Sequence, residues 1–392
     1  MKGGNGIMAK ALRIDVNSSI IQWAVERSGR AFIIEKKFPK IHEWIKGESM
    51  PTLRQLEDLA KATYTPLGYF FLPEPPIEQF PIPYFRTDKD QPFHSLSPDL
   101  IQTVQIMQRR QNWMRDYLVD LGHEPLPYVN SAKITDDPIL VAQDIRKTLG
   151  LEGGWAAIQP NWTKALRNLQ MHMENIGIIV VVNSIVGNNT HRKLNPAEFR
   201  GFVLVDEYAP LVFVNGADGK AAQMFTLAHE LVHIWFGVSA AFDLRELQPA
   251  NDKIELICNK VAAEFLVPKH EFKEIWSEVS NTSEPFQKLA RQFKVSELVV
   301  ARRALDLNYI TKESFIEFYN YYLARERNKI KNDDEGNFYA TQNLRIGRRF
   351  AEAIITAVRE EKLLYHEAYQ LTGLYGDTFE RYAEMLGLGN LI

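Results

Sequence analysis

One cysteine, Cys258, stands in 392 residues, so no disulfide can staple the chain internally, and this usage fits a reducing cytoplasm. No apolar run approaches the roughly 18 residues that a membrane-spanning helix needs, and the first residues lack the apolar stretch of a signal peptide. No membrane partner is therefore expected. Neither sign of charge is in excess: 46 Lys and Arg against 49 Asp and Glu leave a net charge of −3. That balance argues against bulk electrostatic capture of nucleic acid, while leaving room for one basic module. A glycine-rich phosphate loop, an internal repeat and a low-complexity tract are all missing. What is left is an ordinary globular composition, 45% hydrophobic and 24% charged, in a chain long enough for two or three domains.

The stretch Gln223–Gly237 contains His229-Glu230-Leu231-Val232-His233. Residues four apart on a helix share a face, so His229 and His233 can offer two imidazoles to one tetrahedral metal, for which zinc is the best match. Glu230 follows the first histidine and can serve as general base toward water at the metal. The apolar neighbours Phe225, Leu227, Ala228, Leu231, Val232, Ile234 and Trp235 place the helix in a core rather than on a solvated face. An open catalytic zinc site needs a third protein ligand. No third histidine follows at the short spacing, because Phe236 and Ser239 occupy those places.

A second helix, over residues 254–268, supplies a carboxylate. Glu255, Asn259 and Ala262 fall on one stripe, with the Asn259 amide beside the Glu255 carboxylate. Glu264 lies nine residues on and points about 180° away, which leaves it for an ion pair or hydrogen bond. Asp243, Glu246 and Asp252 are weaker candidates because a loop does not fix their geometry. Cys258 reads as a packed small side chain.

These two segments together, Phe225-Thr-Leu-Ala-His-Glu-Leu-Val-His233 and Glu255-x-x-Cys-Asn-x-x-Ala-Ala-Glu-Phe-Leu-Val-Pro268, resemble the ImmA/IrrE family of metallo-endopeptidases. The resemblance implies a zincin-like core with zinc on His229, His233 and Glu255, and with Glu230 as the catalytic carboxylate. Val232 stands where the family often has glycine, and Cys258 where alanine is usual; neither change removes a ligand. The resemblance further implies a narrow protein substrate, a repressor-type regulator cut to relieve silencing.

Along the chain, residues 1–16 read as a flexible leader in which Met8 is an alternative start. Residues 17–76 have the cadence of a small helical domain. Asn17 caps a first helix that Gly29 closes, and Thr52 with Gln55 forms a capping box. The string from Ile41 through Trp44, Gly47, Pro51 and Leu53 to Ala60 resembles the repressor-type (XRE-like) helix-turn-helix domain. Lys36, Lys37, Lys40 and Lys46 are candidate phosphate contacts, although the segment Phe38–Lys46 is poor in the Arg, Asn and Gln that read bases. The domain is thus expected to bind DNA or to dock protein, and homo-oligomers fit a domain type that commonly self-associates.

Residues 77–160 read as a proline-rich strap and helical connector. Its long helix near 97–121 carries Arg109, Arg110 and Arg115, which read as a solvated face. Residues 161–330 read as the peptidase domain with a trailing helical subdomain, its strands near 177–183, 199–205 and 209–215. One strand edge could pair with an extended substrate, unless the edge is simply covered. Ser296 caps a helix in a segment with helix-turn-helix rhythm that includes Arg302 and Arg303. Residues 331–392 read as a further helical region.

The expected fold is mainly α with a small β-sheet (α+β), and the expected chemistry is zinc-dependent peptide hydrolysis. The sequence does not choose an oxyanion donor among His191, Arg200, Tyr208 and His270. The alternative is a DNA-binding regulator without catalysis whose metal is structural or sensory.

Overall fold

The computed structural model describes residues 12–78, 84–85, 96–242, 253–327 and 338–389. The protein is mainly α-helical with a small β-sheet. It divides into two compact units, residues 1–81 with 90–102 and residues 82–89 with 103–392.

The first unit is helical. α1 (Ser18–Ser28) opens where the Asn17 side chain accepts from the Ser19 N–H and closes at Gly29, whose φ of 62° is left-handed. α2 (Ala31–Lys37) and α3 (Ile41–Ile45) are short. α4 (Leu53–Thr63) begins with the reciprocal Thr52–Gln55 capping box, and a 3-10 turn follows at Leu67–Phe71. Ile20, Ile21, Ala24, Ile34, Ile41, Trp44, Leu56, Leu59 and Phe70 form its core. Within the expected leader, Ile14 N donates to Pro51 O at 2.8 Å, and Arg13 bridges to Thr52. Downstream, Glu78 grips the buried Arg27 through both carboxylate oxygens, at 2.5 and 2.6 Å.

The second unit is built on a five-stranded sheet, with strand order β1-β7-β5-β6-β2. Its elements are β1 (Tyr84–Phe85), α5 (Pro98–Asp120) from residue 103 onward, α6 (Pro138–Leu149), α7 (Trp162–Asn175), β2 (Ile179–Asn183), β3 (Ile185–Val186), β4 (Asn189–Lys193), β5 (Gly201–Leu204), β6 (Leu211–Asn215), α8 (Lys220–Phe236) and β7 (Ala240–Phe242). Helices α9 (Lys253–Leu266), α10 (Lys269–Val279), α11 (Pro285–Phe293), α12 (Glu297–Asp306) and α13 (Lys312–Arg327) follow, then α14 (Phe338–Ile346), α15 (Arg348–Arg359), α16 (Tyr365–Thr372) and α17 (Asp377–Met385). β2 runs parallel to β6, β5 antiparallel to β6 and β7, and β1 parallel to β7. Every residue of β2, β5 and β6 is buried, as expected for strands covered on both faces. β3 and β4 form a separate antiparallel pair.

The arginines of α5 require a correction. Arg109 and Arg115 are exposed, but Arg110 is buried. Its guanidinium donates to the carbonyls of Leu371 and Arg345, at 2.9 Å each, and to those of Ile346 and Thr372. These are the carboxyl ends of α14 and α16, where unpaired carbonyls and the helix dipole favour a cation. Burial lowers the Arg110 pKa to about 10, with Tyr382 opposing the shift. Its neighbour Gln111 is also buried and donates to Leu204 O and Ala209 O at 2.7 and 3.0 Å, fastening the β5–β6 turn to α5.

Candidate metal and catalytic site

The site is built on α8. Gln223 donates to the carbonyls of Gly216 and Asp218 at 3.1 and 2.6 Å, which holds the loop that feeds the helix. From Gln223 to Phe236 every residue is buried, and Gly237 ends the helix with a left-handed φ of 70°. A Cβ at Gly237 would fall 2.5 Å from Asn130 Oδ1, so this cap needs glycine for space as well as conformation. Asn130 N and Ala132 N donate to the carbonyls of Ile234 and Trp235 at 3.0 and 2.9 Å. The Trp235 indole stacks on Tyr128 and donates to Asp144 Oδ2 at 2.9 Å. Both ends of the histidine helix are therefore fixed.

α9 packs against α8 and brings Glu255, in its first turn, over the histidines. Glu255 Oε2 lies 3.1 Å from His229 Nε2, and Oε1 lies 3.3 Å from His233 Nε2. The two Nε2 atoms are 3.1 Å apart. One donor atom from each residue falls within 4.8 Å of the others, and all three residues are buried. Burial works to raise the Glu255 carboxyl, but hydrogen bonding and charge from His229 and His233 outweigh it and hold the group at about 2. Glu230 responds oppositely: burial and the nearby Glu255 charge push it well above the ordinary carboxylate range.

This donor set fits a divalent cation. Two imidazoles and one carboxylate are the ligand chemistry of an open zinc site. Both oxygens of Glu230 are buried with no hydrogen-bond partner among the described residues, an expensive arrangement for a carboxylate unless a cation or water answers it. Asn259 Oδ1, one turn along α9 from Glu255, is likewise buried without a hydrogen-bond partner among the described residues.

Sequence reasoning missed two contributors. Gly201 on β5 lies against the helix, where a Cβ would meet Thr226 Cγ2 at 2.6 Å, Phe213 O at 2.9 Å and Glu230 Oε1 at 3.2 Å. Glycine inside an otherwise apolar strand was the available signal, since it marks close backbone approach. Thr226, one turn before Glu230, is buried, and its hydroxyl has no hydrogen-bond partner among the described residues.

Glu264 points elsewhere, into a buried ion pair with Arg303 that also engages Val267 O and Lys269 N. Ser296 caps α12 through the Val299 N–H, and Arg302 pairs with Asp306. Arg303 is thus internal to the unit. Cys258 is buried. Of the oxyanion candidates, His191 and His270 are exposed, Arg200 faces Asp218 at 3.6 Å, and Tyr208 sits in the β5–β6 turn. Asp243, Glu246 and Asp252 lie outside the described residues, as does the charged stretch 329–336. On the first unit, Lys36 and Lys37 end α2, while Lys40 and Lys46 flank α3; all four are exposed.

Two family models match the chain. Residues 173–305 match the IrrE N-terminal-like domain of a peptidase family, and residues 346–385 match a domain of unknown function, DUF8813. The first match spans β2 to α12, including all of α8 and α9. It supports the ImmA/IrrE resemblance and a metallopeptidase-type function for that region. No curated protein matches the chain.

Proposed function

We propose that this protein is a zinc-dependent endopeptidase acting on a repressor-type regulatory protein. The observation that carries the reading is the convergence of donor atoms of His229, His233 and Glu255 within 4.8 Å of one another, all buried, beside a Glu230 carboxylate with no hydrogen-bond partner among the described residues. His229, His233 and Glu255 would hold the metal, with the Asn259 amide behind Glu255. Zinc bound there would supply a Lewis acid for the scissile carbonyl and make water at the site more acidic. Glu230 takes the proton from the attacking water and returns it to the leaving nitrogen.

The first unit, in this reading, is an XRE-like helix-turn-helix domain that presents the peptidase to its target. It would do so by docking a related repressor or by contacting DNA phosphates through Lys36, Lys37, Lys40 and Lys46. Support comes from the exposure of those lysines and from the sequence resemblance over residues 41–60. A catalytically silent metal site would call for a fourth protein ligand to close it. Among the described residues, the clustered donors are three.

The test replaces Glu230→Gln in the full chain and measures bound zinc and cleavage of a co-expressed repressor. Retained zinc with cleavage reduced by about 10²–10⁴-fold is the expected result. Retained zinc with unchanged cleavage removes Glu230 from the chemistry and the endopeptidase reading with it.

A further inference from the structure

Near the end of the chain, α16 and the turn after it build a platform of tyrosines. Tyr365 and Tyr369 stand four residues apart on α16 and so share a face, with ring centroids 6.0 Å apart. Past the helix the chain turns through Gly373 and Gly376, both at positive φ (73° and 48°). The turn brings the Tyr375 ring to 5.7 Å from that of Tyr369. Beneath them Phe379 of α17 meets Tyr365 and Tyr369 edge-on, at 6.4 and 5.5 Å. Phe379 is fully buried, whereas Tyr375 is 65% and Tyr365 36% exposed.

The backbone under the rings is pinned. Asn188 Nδ2 donates to Gly373 O at 2.8 Å. Thr372 Oγ1 donates to Ala368 O at 2.7 Å and accepts from the Leu374 N–H at 3.2 Å. Arg110 reaches the Thr372 carbonyl from α5. Tyrosines presented this way lose little conformational freedom when something touches them, and clustered exposed aromatics are the composition of a contact surface. The surrounding charge decides what can touch them. Between residues 364 and 385, Glu367, Asp377, Glu380 and Glu384 stand against one arginine, Arg381, and all five are exposed. Burial and the charges of Glu380 and Tyr369 hold the Tyr365 phenol above its ordinary value, which puts Glu380 beside the rings. Such a face repels phosphate and attracts a cation, as the faces of the tyrosine rings themselves do. Elsewhere the chain fills tyrosine faces with its own arginines: Arg30 lies 4.9 Å from the Tyr64 ring and Arg325 5.5 Å from that of Tyr322. Among the described residues, no cation stands over Tyr369 or Tyr375.

We propose that this platform docks a basic, arginine-bearing segment of a partner protein, a guanidinium stacking on Tyr375 and Tyr369 while the Glu380 carboxylate answers its charge. The planar guanidinium is the cation that stacks best on an aromatic face. The docking needs neither zinc nor Glu230, so it stands apart from the endopeptidase reading.

The experiment titrates the full chain, without metal, into fluorescein-labelled Gly-Arg-Gly-Arg-Gly-Arg-Gly and reads anisotropy. Saturable binding is expected, weakened about tenfold by Tyr375→Ala through loss of the ring face. Tyr375→Phe keeps that face and should stay within about twofold of the parent. Glu380→Gln should weaken binding as well. Tyr321→Ala removes another exposed tyrosine, on α13, and should change nothing. No saturation by about 1 mM peptide overturns the proposal. So does one affinity shared by the parent and Tyr375→Ala, which would mean that the peptide sits elsewhere on the acidic surface. A loss in Tyr375→Phe as large as in Tyr375→Ala overturns the stacking. Should Tyr375→Ala not fold, Glu380→Gln decides: weakened binding supports the platform, and unchanged binding overturns it.

Discussion

Gly201 and Glu230 meet across the layer between the sheet and α8, so that a methyl group on residue 201 would press on the carboxylate at 3.2 Å and on Thr226 Cγ2 at 2.6 Å. Gly201→Ala should therefore lower stability by about 1–3 kcal/mol through overpacking, read as a drop in melting temperature. Adding Thr226→Ser removes the nearest methyl and should restore part of the loss. If Gly201→Ala melts with the parent, the close approach is not real.

Glu255 supplies the only carboxylate of the three clustered donors. Zinc at a hundred times its dissociation constant should stabilise the parent by about 2.7 kcal/mol, and a chelator should reverse the gain. Glu255→Ala should abolish this zinc-dependent shift in melting temperature. An undiminished shift in the variant would mean that the cation binds elsewhere.

The histidine pair is legible in the sequence because His229 and His233 are local: helical spacing alone puts the two imidazoles on one face. Glu255 is legible at one remove, since the same periodicity separates it from Glu264. The contact between Gly201 and Glu230 is not, because which strand crosses which helix turn depends on tertiary packing. Arg110 is misleading for a related reason. An arginine on an amphipathic helix reads as solvated unless the carbonyls that receive it are known, and those lie on distant helices. The short pairings of β1 and β7 escape notice because two or three residues carry no periodicity.

Glu174, near the end of α7, accepts the Arg349 N–H at 3.3 Å. Burial raises its pKa from 4.5 to about 7, with backbone hydrogen bonds from Arg349 and Arg348 restraining the rise. Because the folded value exceeds the unfolded one, the folded chain binds the extra proton between them. The resulting stabilisation is complete below the unfolded pKa and is lost as pH climbs through about 7. Glu174→Gln should flatten the pH dependence of the melting temperature between about pH 5 and 8 and melt above the parent at the alkaline end. A profile parallel to that of the parent would exclude Glu174 as the source.

The acceptors of the Arg110 guanidinium are synthesised long after it: Arg345 follows by 235 residues and Thr372 by 262. On a ribosome, the long helix carrying Arg110 waits for these acceptors until nearly the whole chain is made. Contacts of such separation slow folding through the entropy of closing the loop. The second unit thus matures late, and its histidine helix is translated well before the scaffold around it can lock.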